Sequence, residues 1–180
     1  MPFRDVSDAG SIASRLVVLL GERGWEGDTE LAAALEGQPC ELHALASDLK
    51  DLGEALRQSN ASEAFRDLVT GQVWPGAVIG GGMGPDGADL EDTTRWLLVS
   101  ELGPGESRRD MRDFAHTIDR PGLRDRLLDA LEGRGGHRRF LDTLRGHGDD
   151  FTRWHRFRDG RALGRARGWL ADAGCQPAGG

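Results

Sequence analysis

Apolar residues recur at helical spacing in three stretches of the first sixty residues, and these stretches predict three short helices. The first helix begins at Asp8 and closes at Gly21 or Gly24. Its apolar positions lie three or four residues apart, so we expect them to face the core. They are Ile12, Leu16, Leu19 and Leu20. The second helix begins at Asp28 and the third at Ser47, each followed by leucines at the same spacing.

The spacing then changes from helical to alternating, which predicts a small antiparallel sheet. Residues 65–74 form a hairpin pattern around the turn residues Thr70 and Gly71. Residues 95–100 contain a continuous apolar run at 96–99, which favours a strand buried on both faces and paired with the hairpin. Between them, residues 80–92 are rich in glycine and acid, without periodicity, and predict a mobile surface loop.

Four further helices are predicted in the second half of the chain. They cover residues 108–118, 121–131, 137–144 and 162–173. We expect the aromatic residues to supply much of the shared core. These are Trp74, Trp96, Phe114, Phe140, Trp154, Phe157 and Trp169. The prediction is an α+β fold in which the small antiparallel sheet packs against the C-terminal helices and an N-terminal helical bundle is attached.

This pattern divides the chain into an N-terminal helical region at 1–60, an α+β domain at 61–177 and a disordered tail at 178–180. No run of 18 apolar residues occurs in the 180-residue sequence, so we expect no membrane-spanning segment and a cytoplasmic protein. Cys40 and Cys175 lie far apart, outside any metal-binding spacing, which favours two free thiols.

Charge is distributed unevenly along the chain. Residues 1–119 hold 10 basic and 22 acidic side chains, whereas residues 120–169 hold 13 basic and 7 acidic ones. The basic part is a candidate surface for anions or nucleic acid, or the two parts attract each other within one fold. All but one of the 23 basic residues are arginine, a residue suited to bidentate contacts with carboxylate or phosphate.

Several motifs in the C-terminal half resemble a bacterial family. The segments ALEGRGGHRRF at 130–140, WHRFRD at 154–159 and RARGWL at 165–170 follow its pattern, as do TGQVW at 70–74 and RDMRDF at 109–114. The family is UPF0158, an uncharacterised protein family, and the resemblance covers about residues 60–177. The N-terminal helical region is similar to that of the longer actinobacterial members. No particular activity is implied by the resemblance.

Two histidines depart from the pattern of that family. His137 and His155 stand where the family usually presents Phe and Tyr. Since histidine titrates near neutrality, this pair is a candidate protonation-sensitive or ligand-contacting site. The alternative is that both are flat, partly buried rings that pack as an aromatic would.

Known catalytic and metal-binding patterns are weak in this sequence. No Gly-x-Ser-x-Gly motif occurs, so we expect no nucleophilic serine site. The five histidines are scattered, so we expect no metal, and we expect no cofactor. Asp110, Asp113 and His116 are the only metal-like grouping, and we expect them on the solvent side of their helix. Glu132 has two interpretations, an acid–base partner of Asp159 or an ion pair with Arg138, Arg139 or Arg158.

The sequence best supports a non-enzymatic binding or regulatory protein. Its predicted Arg/aromatic groove holds a small anionic or aromatic ligand, or an acidic protein segment. The residues of this groove are Glu132, Arg134, His137, Arg138, Arg139, Trp154, His155 and Arg158.

Two alternatives to this function stay open. One is an enzyme acting on a phosphate-bearing or small polar substrate, with Glu132, His137 or His155 as acid and base. The other is nucleic-acid binding, in which arginines contact phosphates and Trp154 or His137 stacks on a base. We expect no membrane partner.

Overall fold

The computed structural model describes residues 6–38, 43–45, 47–57, 63–99 and 103–178, which form eight helices and five short strands. The helices are α1 (Val6–Arg23), α2 (Asp28–Leu35), α3 (Leu49–Arg57), α4 (Gly76–Gly80), α5 (Pro104–His116), α6 (Pro121–Ala130), α7 (Gly136–Arg145) and α8 (Gly148–Asp172). The strands are β1 (His43–Leu45), β2 (Ala64–Asp67), β3 (Val73–Pro75), β4 (Trp96–Val99) and β5 (Cys175–Pro177). Within the described ranges, no helix combines the length and apolar character that crossing a lipid bilayer requires.

The predicted antiparallel sheet is present and has the strand order β3–β2–β4. Ala64 pairs with Pro75 on one side and with Val99 on the other. The predicted burial of β4 on both faces is wrong at Leu98, which is 43% exposed. Successive residues of a strand point to opposite faces, so Leu98 points away from the core that receives Val99.

A second, parallel pair of strands joins β1 to β5 and was not predicted. His43 pairs with Cys175 and Leu45 with Pro177, and the N–H of Ala178 donates to the carbonyl of Leu45 at 2.8 Å. Strands of three residues are too short to show an alternating pattern. Residues 179–180 lie outside the described residues.

Two hydrophobic clusters make the core, and α8 contributes to both. The first cluster contains Met111, Phe114, Ala115, Ile118, Leu123, Leu127, Leu131, Phe140, Leu144 and Trp154. The second contains Leu45, Leu52, Leu56, Val99, Ala166, Leu170 and Cys175. The sheet therefore packs against the C-terminal helices through Val99, which confirms the α+β fold. Of the predicted core aromatics, Trp96, Phe114, Phe140 and Trp154 are fully buried.

The last helix begins earlier than the sequence predicts. It spans 25 residues from Gly148, whereas the pattern predicted 162–173. Gly160 conceals the first half of the helix, since glycine is a usual signal for a helix end. Gly164, inside the predicted range, lies where the backbone of Glu26 crosses α8, and a Cβ there would overlap the carbonyl oxygen of Glu26. This glycine permits close approach of two backbones and does not end the helix.

The apolar face predicted for α1 is mostly exposed, and the expectation that it faces the core is wrong for three of its four residues. Leu20 is buried, but Ile12, Leu16 and Leu19 are 51%, 42% and 57% exposed. Among the described elements, only the eight-residue α2 packs extensively on α1. A short neighbour covers only part of an 18-residue helix.

Candidate functional site

A tight loop joins α6 to α7, and we call residues 131–136 the double-glycine corner. Gly133 and Gly135 have φ values of +73° and +74°, which only glycine adopts readily. A Cβ at Gly136 would lie 2.8 Å from the carbonyl oxygen of Leu131. Glycine is therefore needed at this corner both for backbone conformation and for space.

Two arginines bind the main-chain carbonyls of the corner. Arg139 donates from one terminal nitrogen to the carbonyl of Glu132 and from the other to that of Arg134. Arg108 donates through Nη2 to the carbonyl of Leu131 and to that of Gly133 at 3.1 Å. Cations at the last carbonyls of a helix satisfy unpaired acceptors and complement the helix dipole. These arginines hold the corner that follows α6.

The predicted ion pair of Glu132 is not formed. Its side chain is exposed, and within the described part of the chain its carboxylate has no ion-pair partner. Arg138 instead lies 3.7 Å from Asp142, and Arg158 lies 2.7 Å from Asp159. Arg139 takes the main-chain carbonyl of Glu132 because the tight corner turns that oxygen toward α7.

Trp154 lies in the core and does not line a groove, which corrects the predicted contact with a ligand. It is 3% exposed and packs edge-on against Phe114 and Phe140, each at 5.3 Å between ring centroids. Phe157 stacks on it at 6.1 Å. A buried indole cannot stack on a base or on an aromatic ligand without unfolding its surroundings.

The two histidines have different environments. The ring of His155 is half-buried and packs edge-on against Phe151 at 4.6 Å, as an aromatic side chain would. His137 is exposed at the start of α7, so the alternative of a partly buried ring that packs as an aromatic would is wrong for this residue. Among the described residues, no hydrogen bond or ion pair joins either histidine to a carboxylate.

A cavity of about 220 Å³ lies beside the double-glycine corner, and we call it the corner cavity. It is lined by Ser107, Arg108, Met111, Leu131, Gly133, Gly136 and His137. Of the predicted groove, only His137 lines it. Arg134 and Arg138 are exposed on neighbouring positions, and no described residue accepts a hydrogen bond from Arg134.

Ser107 and Arg108 are the functional candidates that sequence reasoning missed. They lie on α5, just before the RDMRDF segment, and nothing in the local sequence shows that α5 packs beside the corner. The one sequence feature that points to Arg108 is its spacing of three residues from Met111, which places the two on one face of a helix.

The metal-like grouping of the sequence serves another role. Asp110 is buried, not on the solvent side as expected, and its two oxygens accept from Arg165 at 2.8 and 2.6 Å. Arg161 donates to the same carboxylate at 2.9 Å and lies 3.7 Å from Asp113. Among the described residues, no group of three or more potential ligands is arranged to hold a metal.

Fold and site together define an α+β protein with a small, partly cationic cavity at a helix–helix corner. The chain belongs to the Uncharacterised protein family (UPF0158), whose sequence model matches residues 87–179. The corner cavity lies wholly inside the matched residues.

One relative in Pseudomonas aeruginosa, UPF0158 protein PA5073, is 28% identical over 135 residues, which are 73% of this chain and 85% of the relative. No solved structure matches the chain significantly.

Proposed function

We propose that the protein is a non-enzymatic binding protein that holds a small organic anion in the corner cavity. The observation that carries the proposal is the composition of the cavity wall. The cavity is lined by three polar groups, the guanidinium of Arg108, the imidazole of His137 and the hydroxyl of Ser107. The buried side chains of Met111 and Leu131 line the same cavity. Few polar groups over an apolar base are typical of small-molecule sites.

Arg108 retains donors for a ligand. A guanidinium has five N–H groups, and the bonds to Leu131 and Gly133 use the two on Nη2. The N–H groups of Nε and Nη1 have no acceptor among the described residues. Each of these donors can form a charge-assisted hydrogen bond with a carboxylate or a phosphate oxygen.

Two further features favour an anion. The first main-chain N–H groups of α7 have no partner inside the helix, and the positive end of the helix dipole lies there. Arg134 and the 90%-exposed Arg138 add positive charge nearby, which raises the local concentration of anions. The cavity volume is below the range of about 300–1,000 Å³ usual for drug-sized ligands, so the ligand is small.

Phenyl phosphate is the probe, since it carries an anionic group on a small apolar body. We expect it to raise the melting temperature, because a ligand bound only by the folded state stabilises that state. A Ser107→Ala/His137→Phe double variant should bind at least tenfold more weakly. Arg108 is left unchanged because its side chain also holds the corner.

His155→Phe is the matched control, because it also replaces an imidazole but outside the cavity. It should bind phenyl phosphate as tightly as the wild type. Equal affinity of the double variant and the wild type, with both folded, would exclude the corner cavity as the site. So would the absence of any shift in melting temperature at millimolar phenyl phosphate.

A further inference from the structure

A second cavity lies between α2 and α8, away from the residues of the corner cavity. The backbones of the two elements meet at Gly27 and Gly164, where a Cβ on either glycine would overlap the facing main chain. Beyond this contact, a space of about 270 Å³ opens between α2, α8 and β5. We call it the α2–α8 cavity.

The wall of the α2–α8 cavity is largely apolar. Its apolar side chains come from three elements and include Leu31, Ala34, Ala171 and Pro177. The thiol of Cys175, which is 7% exposed, also lines it. Small and aliphatic side chains around an open volume fit an apolar body and offer it few competing hydrogen bonds.

Arg167 lines this cavity and forms no ion pair within the described ranges of the chain. It is half-buried, and no residue of the described chain accepts a hydrogen bond from it. The nearby carboxylate of Asp28 is already occupied by Arg23, at 2.9 Å from Nε, and by the N–H of Trp25 at 2.8 Å. Burial lowers the pKa of Arg167 and the positive charge of Arg23 lowers it further, while the negative charge of Asp28 partly opposes them. A bound carboxylate would offset both effects.

We propose that the α2–α8 cavity binds a small monocarboxylic acid, whose carboxylate pairs with Arg167 and whose apolar body contacts Leu31, Ala34 and Ala171. Glu30 also lines the cavity. Its negative charge disfavours a second negative charge on the ligand, so dicarboxylates and phosphates bind less well. This site uses none of the residues of the corner cavity and does not depend on the function proposed there.

Octanoate is the probe, and octan-1-ol is its uncharged analogue of equal length. Octanoate should bind at least tenfold more tightly than octan-1-ol, because a charge-assisted bond to a half-buried guanidinium is among the stronger hydrogen bonds. It should also slow the alkylation of Cys175 by iodoacetamide. Mass spectrometry of the Cys175 peptide separates this thiol from Cys40.

The variant Arg167→Met removes the charge and keeps a long apolar side chain. It should bind octanoate at least tenfold more weakly and octan-1-ol as well as the wild type does. Arg134→Met is the matched control, with the same loss of charge at an exposed position outside this cavity. The Ser107→Ala/His137→Phe variant should retain octanoate binding, which separates this site from the corner cavity.

Three results would overturn the proposal. The first is equal affinity of octanoate and octan-1-ol for the wild-type protein. The second is a loss of octanoate affinity in Arg134→Met as large as the loss in Arg167→Met. The third is octanoate binding without any slowing of Cys175 alkylation, which would place the ligand elsewhere. The first and third need only the wild-type protein, so they hold even if Arg167→Met does not fold.

Discussion

Arg165 of α8 donates hydrogen bonds to both carboxylate oxygens of Asp110 on α5, at 2.8 and 2.6 Å, and both side chains are buried. Its guanidinium also lies 3.5 Å from Glu106 and 3.7 Å from Glu26. Arg165 belongs to the basic part of the chain and its three partners to the acidic part. Attraction between the two parts within one fold was one of the two interpretations of their opposite charges, and these contacts favour it.

Replacing Asp110 should strongly destabilise the protein. Asp110→Asn removes the buried carboxylate that binds both terminal nitrogens of Arg165 and leaves the guanidinium with only the longer contacts to Glu106 and Glu26. Breaking one side of such a buried pair costs about 3–5 kcal/mol. Urea unfolding measures the loss. Asp113→Asn is the control, since Asp113 is 47% exposed and its ion pair with Arg161 is long, at 3.7 Å. This substitution should lower the free energy of unfolding by less than about 1 kcal/mol. Equal losses in both variants would contradict this view of the pair.

The acid limb of the stability curve should depend on Asp67. Burial alone raises the pKa of this carboxyl, but hydrogen bonds from Arg95, Val69 N–H and Thr70 outweigh burial and hold the pKa below its usual value. Its contribution to stability is therefore complete above the unfolded-state pKa of about 3.9 and is lost as pH falls through the lower folded-state pKa.

The variant Asp67→Asn tests this dependence. At pH 7 it should lower the free energy of unfolding by about 1–3 kcal/mol, since buried donors lose their acceptor. Below pH 4 its stability should fall less steeply than that of the wild type. Asp86→Asn in the exposed acidic loop is the control for the loss of one charge. Parallel curves for wild type and Asp67→Asn would show that Asp67 is not responsible.

Two glycines of α8 should respond oppositely to alanine. Gly164→Ala places a methyl group against the carbonyl of Glu26 and should lower the free energy of unfolding by about 1–3 kcal/mol. At Gly160 the nearest atom to an added Cβ belongs to Trp25 at 3.6 Å, an ordinary contact. Gly160→Ala should therefore raise the free energy of unfolding by about 0.5–1 kcal/mol. Thermal or urea unfolding of both variants measures these changes in stability. If Gly164→Ala were more stable than the wild type, the close approach of the Glu26 backbone to α8 would be ruled out.

Arg66 is a buried cation without an ion-pair partner in the part of the chain that the structure describes. It is fully buried on β2 and donates through Nη2 to Ser47, while Nε and Nη1 have no acceptor among the described residues. Burial lowers its pKa, and Cys175 partly opposes this effect. Arg66→Met keeps the length of the side chain and removes the charge, so the free energy of unfolding should stay equal or rise by about 1–4 kcal/mol. A loss above about 1 kcal/mol would show that the guanidinium is needed.

The small sheet and the helices α5, α6 and α7 were predictable, because their patterns are local. Apolar residues at three- and four-residue spacing identify Phe114 on α5, and an alternating run with Thr70 and Gly71 identifies the hairpin. The first half of α8 was missed, since Gly160 matches the usual signal for a helix end. The helix nevertheless continues through Gly160 and through Gly164, against which the backbone of Glu26 packs from more than a hundred residues earlier in the chain.

The candidate site was predictable only in part, because a guanidinium chooses its acceptor in three dimensions. The sequence places Arg138, Arg139 and Glu132 close together, and opposite charges suggest an ion pair. The structure instead gives Arg139 the carbonyls that the tight corner turns toward it. Likewise Arg108 reaches the corner from α5, a direction that the local sequence does not show. Trp154 lies in the core as its aromatic character predicts, and this burial excludes the ligand contact that was also predicted for it.

Because α8 contributes to both hydrophobic clusters, we expect the two clusters to unfold together. Unfolding of α8 would remove Trp154 from one cluster and Ala166 and Leu170 from the other. The protein should thus lose its native state as one cooperative unit, and amide protons along α8 should share the slowest exchange in the molecule.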